Sequence, residues 1–294
     1  MTKQNKPVAM IVLNYNDEES TILFVTKQVE NKGLDLIVIV DNFSSDNSFR
    51  NLMLITCEKI KVIQTDKNGG YAFGNNYGIH YVEQNFITEV IIIANPDIDL
   101  SEETLLYSLS FLRSSTFKVG LVAPTMKLPN GHLESAWKLP KYSKMLLLAI
   151  IPIQHFVQEA TRYRSRDLAN EYAKIEVLAG SLLIGKLLMF EDVGYFDERT
   201  FLYGEENILS FKIKMKGYQN ILLTRKSYMH FYSLSINKTI SKVEEKFKIA
   251  YQSNIIYLNH YLGVSAFQLK FYSVLYEIGL FAFIKLKYVQ QLLK

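Results

Sequence analysis

The chain has 294 residues, 49% of them hydrophobic and 13% aromatic, and carries 33 Lys and Arg against 29 Asp and Glu for a net charge of +4. That size and apolar content suffice to bury a large core, which excludes a mostly disordered chain. The charge is too small for a nucleic-acid binder, and a single cysteine, Cys57, excludes a disulfide framework or a zinc site built on several thiolates, as in a reducing compartment.

The polar residues 1–6 lead into Val8–Leu13, an apolar run too short for a signal-peptide core, so a buried first strand in a cytoplasmic protein is expected. Short β-branched runs then alternate with longer periodic segments, the pattern of parallel strands joined by helices. Strands are expected at Val8–Leu13, Leu36–Val40, Lys61–Gln64 and Val90–Ala94, and helices at Asp17–Glu30, Ser45–Cys57 and Tyr71–Val82. Because ligands of open α/β sheets bind at the carboxyl ends of the strands, Asn14, Asp41, Asn68 and Asp97 are expected to converge on one crevice.

Beyond residue 100 the alternation loosens. Ser101-Glu102-Glu103 starts a helix, Val119–Ala123 is a strand, and Pro129-Asn130-Gly131 is a turn. Glu176–Ile184 reads as one strand interrupted by Gly180-Ser181, and Ile221–Leu223 as another before His230. Ile208–Lys216 is a helix closed by Gly217, and helices rich in Lys and Tyr follow from about Ser241. Met145–Val157 and Phe271–Ile284 are apolar, but neither reaches the roughly 20 uninterrupted apolar residues of a spanning helix.

Four motifs could carry chemistry. Asp41-Asn42-Phe43-Ser44-Ser45-Asp46 puts a carboxylate at a strand end, either as an Asx turn and helix cap or as an acceptor for the N3–H of uracil or thymine. Lys67-Asn68-Gly69-Gly70 opens a helix, where glycines admit a close ligand and the dipole favours phosphate, although a plain turn has the same composition. Asn95-Pro96-Asp97-Ile98-Asp99 offers hard oxygen ligands suited to Mg²⁺ or Mn²⁺, with alternation placing Asn95, Asp97 and Asp99 on one side; a loop with a helix cap is the structural alternative. Glu205-Glu206 opens a helix, as acids often do, and either could serve as a general base. His230 is a metal-ligand candidate or a structural histidine.

Taken in order, Val12-Leu13-Asn14-Tyr15-Asn16, Val40-Asp41-Asn42, Asn68-Gly69-Gly70-Tyr71-Ala72 with Gly74-Asn75-Asn76, Asn95-Pro96-Asp97, Ala179-Gly180-Ser181, Phe201-Leu202-Tyr203-Gly204-Glu205-Glu206, and His230 with Ser235 resemble the motifs of family 2 glycosyltransferases. The likeness is to the bacterial branch that builds rhamnose- and galactofuranose-type polysaccharides, and it covers about residues 8–260. It implies an α/β GT-A fold with a mixed central sheet. Residues 1–235 would form the transferase domain, with a Rossmann-like nucleotide-binding half at 1–100 and an acceptor half at 101–235. From their alternating lysines and apolar residues, residues 236–294 would form a C-terminal helical region that rests on a membrane surface, packs on the main domain or forms a face for a second copy.

The resemblance further implies an inverting transfer of sugar from a UDP- or dTDP-linked donor to a glycan or lipid-linked acceptor in cell-surface polysaccharide synthesis, on the cytoplasmic side of the membrane. It assigns Asn14, Asn16, Asp41, Asn68, Gly70, Asn75, Asn95 and Asp97 to the nucleotide. Asp97, Asn95 and His230 fall to Mn²⁺ or Mg²⁺, and Gly180, Ser181, Trp137 and Tyr203 to the acceptor and sugar. Glu206 matches the catalytic base, with Glu205 as alternative. Asn95 stands where relatives have the first acid of D-x-D, Ile208 where they often have an acid, Lys212 where Arg is frequent, and Ser253-Asn254 where many carry Arg-Asn. A sugar-nucleotidyltransferase and a non-catalytic binding protein of the same fold are the competing readings.

Overall fold

The computed structural model describes residues 7–133, 135–160, 162–163, 168–231 and 243–292. Its first hundred residues follow the expected alternation: β1 (Val8–Asn14), α1 (Glu18–Gln28), β2 (Leu36–Asp41), α2 (Ser48–Met53), β3 (Ile60–Gln64), α3 (Gly70–Asn85) and β4 (Val90–Ala94). β1, β2 and β4 are buried along nearly their whole length, as strands covered on both faces must be. The second helix is shorter than Ser45–Cys57 because residues 44–47 are occupied in a turn, where Asp46 accepts the Ser48 amide at 2.9 Å.

The elements that follow are β5 (Ile98–Asp99), α4 (Glu102–Ser114), β6 (Val119–Lys127), β7 (Ala136–Trp137), α5 (Tyr142–Ala149), α6 (Gln154–Glu159), β8 (Tyr172–Ile175), β9 (Val177–Leu178), β10 (Leu182–Lys186), α7 (Leu187–Val193), α8 (Glu205–Met215) and β11 (Gln219–His230). Ser101 caps α4 by accepting the Thr104 amide at 3.2 Å. Among the described residues the main sheet has nine strands in the order β3-β2-β1-β4-β10-β6-β11-β5, with β8 on β11. β3, β2, β1 and β4 are parallel, and β10 enters antiparallel to both β4 and β6. The sheet is therefore mixed.

Glu176–Ile184 is not one strand. β9 pairs with β7 in a separate two-stranded sheet, whereas β10 lies in the centre of the main one. Gly180-Ser181 is the crossing between them. This break positions a backbone loop at the ends of β4 and β10, where Asn95 N–H donates to Ser181 O at 2.9 Å.

Two apolar clusters cover the two faces of the sheet. A third lies apart from them and joins Met145, Ala149 and Ile151 to Ile208 of α8 and to Tyr257, Leu258, Tyr272 and Tyr276. The last four come from the C-terminal helices α9 (Val243–Ile256), the π-helical turn Tyr257–Tyr261 and α10 (Ala266–Leu292). Ile208 is thus a core residue, which accounts for an apolar side chain there. The C-terminal region is docked on α5 and α8, and Ser253 of α9 donates to the Leu202 carbonyl at 3.0 Å. Ser235 and the boundary at 235–236 lie outside the described residues.

The docking is tightest at Gly279, where a Cβ would stand 2.2 Å from the Ala149 carbonyl oxygen. Replacing Gly279 with Leu is expected to separate α10 from α5 and lower stability by about 2 kcal/mol, a fall in melting temperature of about 4 °C. A thermal melt checks this, with the exposed Glu277→Gln as a control that leaves the melt unchanged.

Candidate active site

The carboxyl ends of β1, β2 and β3 carry a fully hydrogen-bonded polar cluster. Asp41 is completely buried. It accepts from Asn14 Nδ2 at 2.8 Å, Ser44 Oγ at 2.6 Å, Ser44 N at 3.0 Å and Gln64 Nε2 at 2.9 Å, which fills the acceptor positions of a carboxylate. Asn16, held at φ 51°, accepts the Ser45 amide at 2.9 Å and fixes the same loop. Asn42, next to Asp41, donates to Asn68 Oδ1 at 3.0 Å and to the Gly70 carbonyl at 3.1 Å. The expected convergence of Asn14, Asp41 and Asn68 is therefore present, and Asn42 is its link.

The ends of β4 and β11 carry the second cluster. The register of β5 against β11 places His230 opposite Ile98, and Phe231 N–H donates to the Asp97 carbonyl at 2.9 Å. Those backbone bonds bring Asp97 Oδ2 within 3.2 Å of His230 Nε2, with both side chains about nine-tenths buried. Asp99 does not join them. Residues 95–97 turn instead of running extended, and Asp99 points outward beside Lys27 at 3.8 Å with about half its side chain exposed.

A carboxylate oxygen and an imidazole nitrogen so close together suit a divalent cation such as Mn²⁺. Among the described residues no group of three or more His, Cys, Asp or Glu could hold a metal, so the chain offers a two-donor set that a diphosphate or water would complete.

The third cluster is the acid pair at the start of α8. Gly204 sits at φ 84° and Tyr203 at φ 69°, a left-handed turn that makes Glu205 and Glu206 the first helical residues, three positions earlier than expected. Glu205 is buried, with no hydrogen-bond partner for Oε1 among the described residues. Burial, and then the charge of Glu206, push its carboxyl up to about 8. Burial also raises Glu206, and backbone amides favour the ionised form of both carboxyls, those of Glu206 and Gly180 for the one and those of Glu205 and Tyr203 for the other. With both groups buried, two adjacent charges are unfavourable, so the pair favours holding one proton. A Cβ at Gly180 would lie 2.8 Å from Glu206 Oε1, so a side chain there would displace the Glu206 carboxylate.

Gly70, Asn75 and Ser181 make contacts within the chain that the sequence did not reveal. Gly70 has φ 88°, and a Cβ on it would lie 2.0 Å from the Phe201 carbonyl oxygen, so its open side is filled by the chain's own backbone instead of a ligand. The Tyr71 amide at the helix start also donates to Phe201 O, at 2.9 Å. Asn75 is buried within α3 and donates to the Tyr71 carbonyl at 2.9 Å. Ser181 has its hydroxyl turned inward, 2.7 Å from Tyr228 Oη, so what it presents to the crevice is backbone. Trp137 Nε1 donates to Asn207 Oδ1 at 2.8 Å, beside the acid pair. Lys212 donates to the carbonyls of Gly194 and Tyr195, anchoring α8 to the preceding loop.

A cavity of about 480 Å³ lined by Lys138, Lys174, Glu176 and Lys214 lies at the start of β11, the end opposite His230, and is separate from this crevice.

This arrangement has known counterparts. The fold is GT-A, and the chain's relatives are glycosyltransferases. No family model matches the chain. It is 24% identical over 199 residues to the low-salt glycan biosynthesis hexosyltransferase Agl10 of Haloferax volcanii, a match covering 68% of this chain and 59% of that protein. It is 23% identical over 203 residues to the N-acetylglucosaminyl-diphospho-decaprenol L-rhamnosyltransferase of Mycobacterium tuberculosis, covering 66% of each. The chain thus spans about three-fifths to two-thirds of these curated relatives. Among solved structures it superposes on GalNAc-T7 with UDP, GalNAc and Mn²⁺ at a TM-score of 0.57 and 15% identity, over 78% of this chain and 44% of that one.

An acid whose folded pKa lies above its unfolded value adds stability below the unfolded pKa, and that stability is lost as pH rises through the folded one. Glu205 is therefore expected to make the native protein less stable as pH rises from about 4 to about 8. Glu205→Gln should flatten this slope and raise the melting temperature at pH 8 by about 2 °C or more, as followed by thermal melts across pH.

Proposed function

We propose that the chain is an inverting, metal-dependent glycosyltransferase that moves a sugar from a UDP- or dTDP-linked donor to a glycan or lipid-linked acceptor in cell-surface polysaccharide synthesis. The observation that carries this reading is the 180–181 loop, which touches both halves of the required chemistry. On one side Asn95 N–H donates to Ser181 O next to the Asp97–His230 pair. On the other, Gly180 packs against Glu206.

In this reading Asn14, Asn16, Asp41 and Asn68 hold the nucleoside side. Asp41 would take a uracil or thymine N3–H in exchange for its bond to Gln64. Asp97 and His230 would hold a divalent cation, with Asn95 beside them, and such a cation would supply positive charge for the leaving diphosphate. Glu206 takes the proton of the acceptor hydroxyl as its oxygen bonds to the anomeric carbon and the carbon–oxygen bond to the diphosphate breaks. A single displacement inverts that carbon. Glu205, keeping its proton, adds no second charge. Gly180, Ser181, Trp137 and Tyr203 border the acceptor side, with Gly70 as the pivot of the donor loop.

Incubation with a panel of UDP- and dTDP-sugars and Mn²⁺ should release a nucleoside diphosphate. Asp97→Ala or Glu206→Gln should each lower that release about 10²–10⁴-fold in a folded protein. Release of pyrophosphate would favour a nucleotidyltransferase, and unchanged turnover in both variants would contradict the assignment.

A membrane surface suits the same reading. No helix among the described residues is long and apolar enough to cross a membrane. The outer face of α10 exposes Phe267, Phe271, Val274, Ile278, Phe281 and Tyr288 at alternating four- and three-residue spacing, with Lys270 and Lys285 in the same stripe. Aromatics and lysines on one face match the headgroup region of an anionic bilayer, whereas the same lysines would face each other across many pairings of two copies. The protein should therefore co-sediment with phosphatidylglycerol vesicles more than with phosphatidylcholine vesicles, and Phe271→Ser with Phe281→Ser should abolish the difference. Equal partition into both, or a stable dimer broken by these substitutions, would contradict the membrane role.

A further inference from the structure

Tyr71 belongs to the donor-side loop by sequence but reaches the acid pair by its side chain. Its amide donates to the Phe201 carbonyl at 2.9 Å, and its ring packs edge-on against Phe196 at 5.8 Å. Its hydroxyl donates to the Gly180 carbonyl at 2.7 Å. Gly180 is the residue whose backbone meets Glu206, and a glycine there lacks the side chain that would otherwise restrict the two peptide planes on either side of it. The neighbouring residues are held from outside, since Ala179 N–H donates to Ser135 O at 3.0 Å and Asn95 N–H donates to Ser181 O at 2.9 Å, and Tyr71 holds the carbonyl of Gly180 itself.

We propose that Tyr71 is the positioning residue of the catalytic base, holding the Gly180 backbone so that its amide stays directed at Glu206. The proposal deepens the glycosyltransferase reading and rests on it for the name of base, but the geometry it concerns exists without turnover. The titratable groups that face Glu206 are Glu205, from the same helix, and Tyr71 itself; Tyr203 and Tyr228 face those two. Burial, and then the charges of Glu206 and Glu205, push the Tyr71 phenol well above its ordinary value, so it stays a hydrogen-bond donor throughout the working pH range. Without its hydroxyl Gly180 loses the anchor on its carbonyl, the residue as a whole can shift away from Glu206, and the carboxylate loses a backbone contact that favours its charged form.

The test uses Tyr71→Phe in the full chain, which keeps the ring and its packing. Carboxyl NMR titration of glutamate-labelled protein, with the Glu206 signal assigned through Glu206→Gln, should show the Glu206 midpoint displaced upward by about one pH unit in Tyr71→Phe. UDP affinity with Mn²⁺, measured by calorimetry, should change less than twofold, and a thermal melt confirms the fold. With the nucleotide-sugar that the wild type turns over, kcat should fall about tenfold with donor KM unchanged and the acid limb of the pH profile displaced in the same direction. An unchanged Glu206 midpoint in folded Tyr71→Phe overturns the proposal. Absence of turnover in the wild type overturns the glycosyltransferase reading alone, because the titration does not depend on it.

Discussion

The crevice depends on a backbone contact that no side chain could occupy. Gly70 lies so close to the Phe201 carbonyl that a Cβ would overlap it, and the Tyr71 amide is hydrogen-bonded to that same oxygen. Through this contact the start of α3, which is tied by Asn42 to the ends of β1 and β2, is fixed to the loop that opens α8. The polar cluster on the parallel half and the acid pair on the mixed half are thereby one unit. A glycine with positive φ is the residue that tolerates both the conformation and the approach.

Electrostatics then distinguishes the four carboxylates Asp41, Asp97, Glu205 and Glu206. Asp41 is saturated with donors and organises a loop. Asp97 is paired with His230 by strand register, giving a site of mixed oxygen and nitrogen donors. Glu205 and Glu206 are adjacent in sequence but differ in partners, since only the second is reached by the Gly180 backbone. Burial makes two charges side by side unfavourable, so the pair favours holding one proton.

Much of this was legible in the sequence, for physical reasons. β-Branched runs buried on both faces announce parallel strands, and Val90–Ala94 was placed to the residue. Polar residues at the strand ends pointed to the crevice, and the Phe201–Glu206 motif to the acid pair. What the sequence hid was long-range. Glu176–Ile184 has the composition of one strand, and only its partners, β7 on one side and β4 and β6 on the other, reveal a crossing between two sheets. Asp97 and Asp99 look alike until residues 95–97 turn. Gln64, Asn42 and Tyr71 carried no assigned role because each acts through a hydrogen bond to a residue at least 23 positions away. A tyrosine directly after a glycine pair was the one local signal of the last. Ile208 is apolar where the C-terminal helices are packed on it, a contact between distant parts of the chain.

The central claim is that the strand-end crevice places a divalent cation and a base on opposite sides of the 180–181 loop. A crystal structure of the protein with UDP and Mn²⁺, collected at a wavelength where manganese scatters anomalously, tests it most directly. The account predicts an anomalous peak coordinated by Asp97, His230 and the diphosphate, with Glu206 facing the same crevice and free of metal. A peak bound to Glu205 or Glu206, or UDP bound away from the ends of β1, β2 and β4, would contradict it.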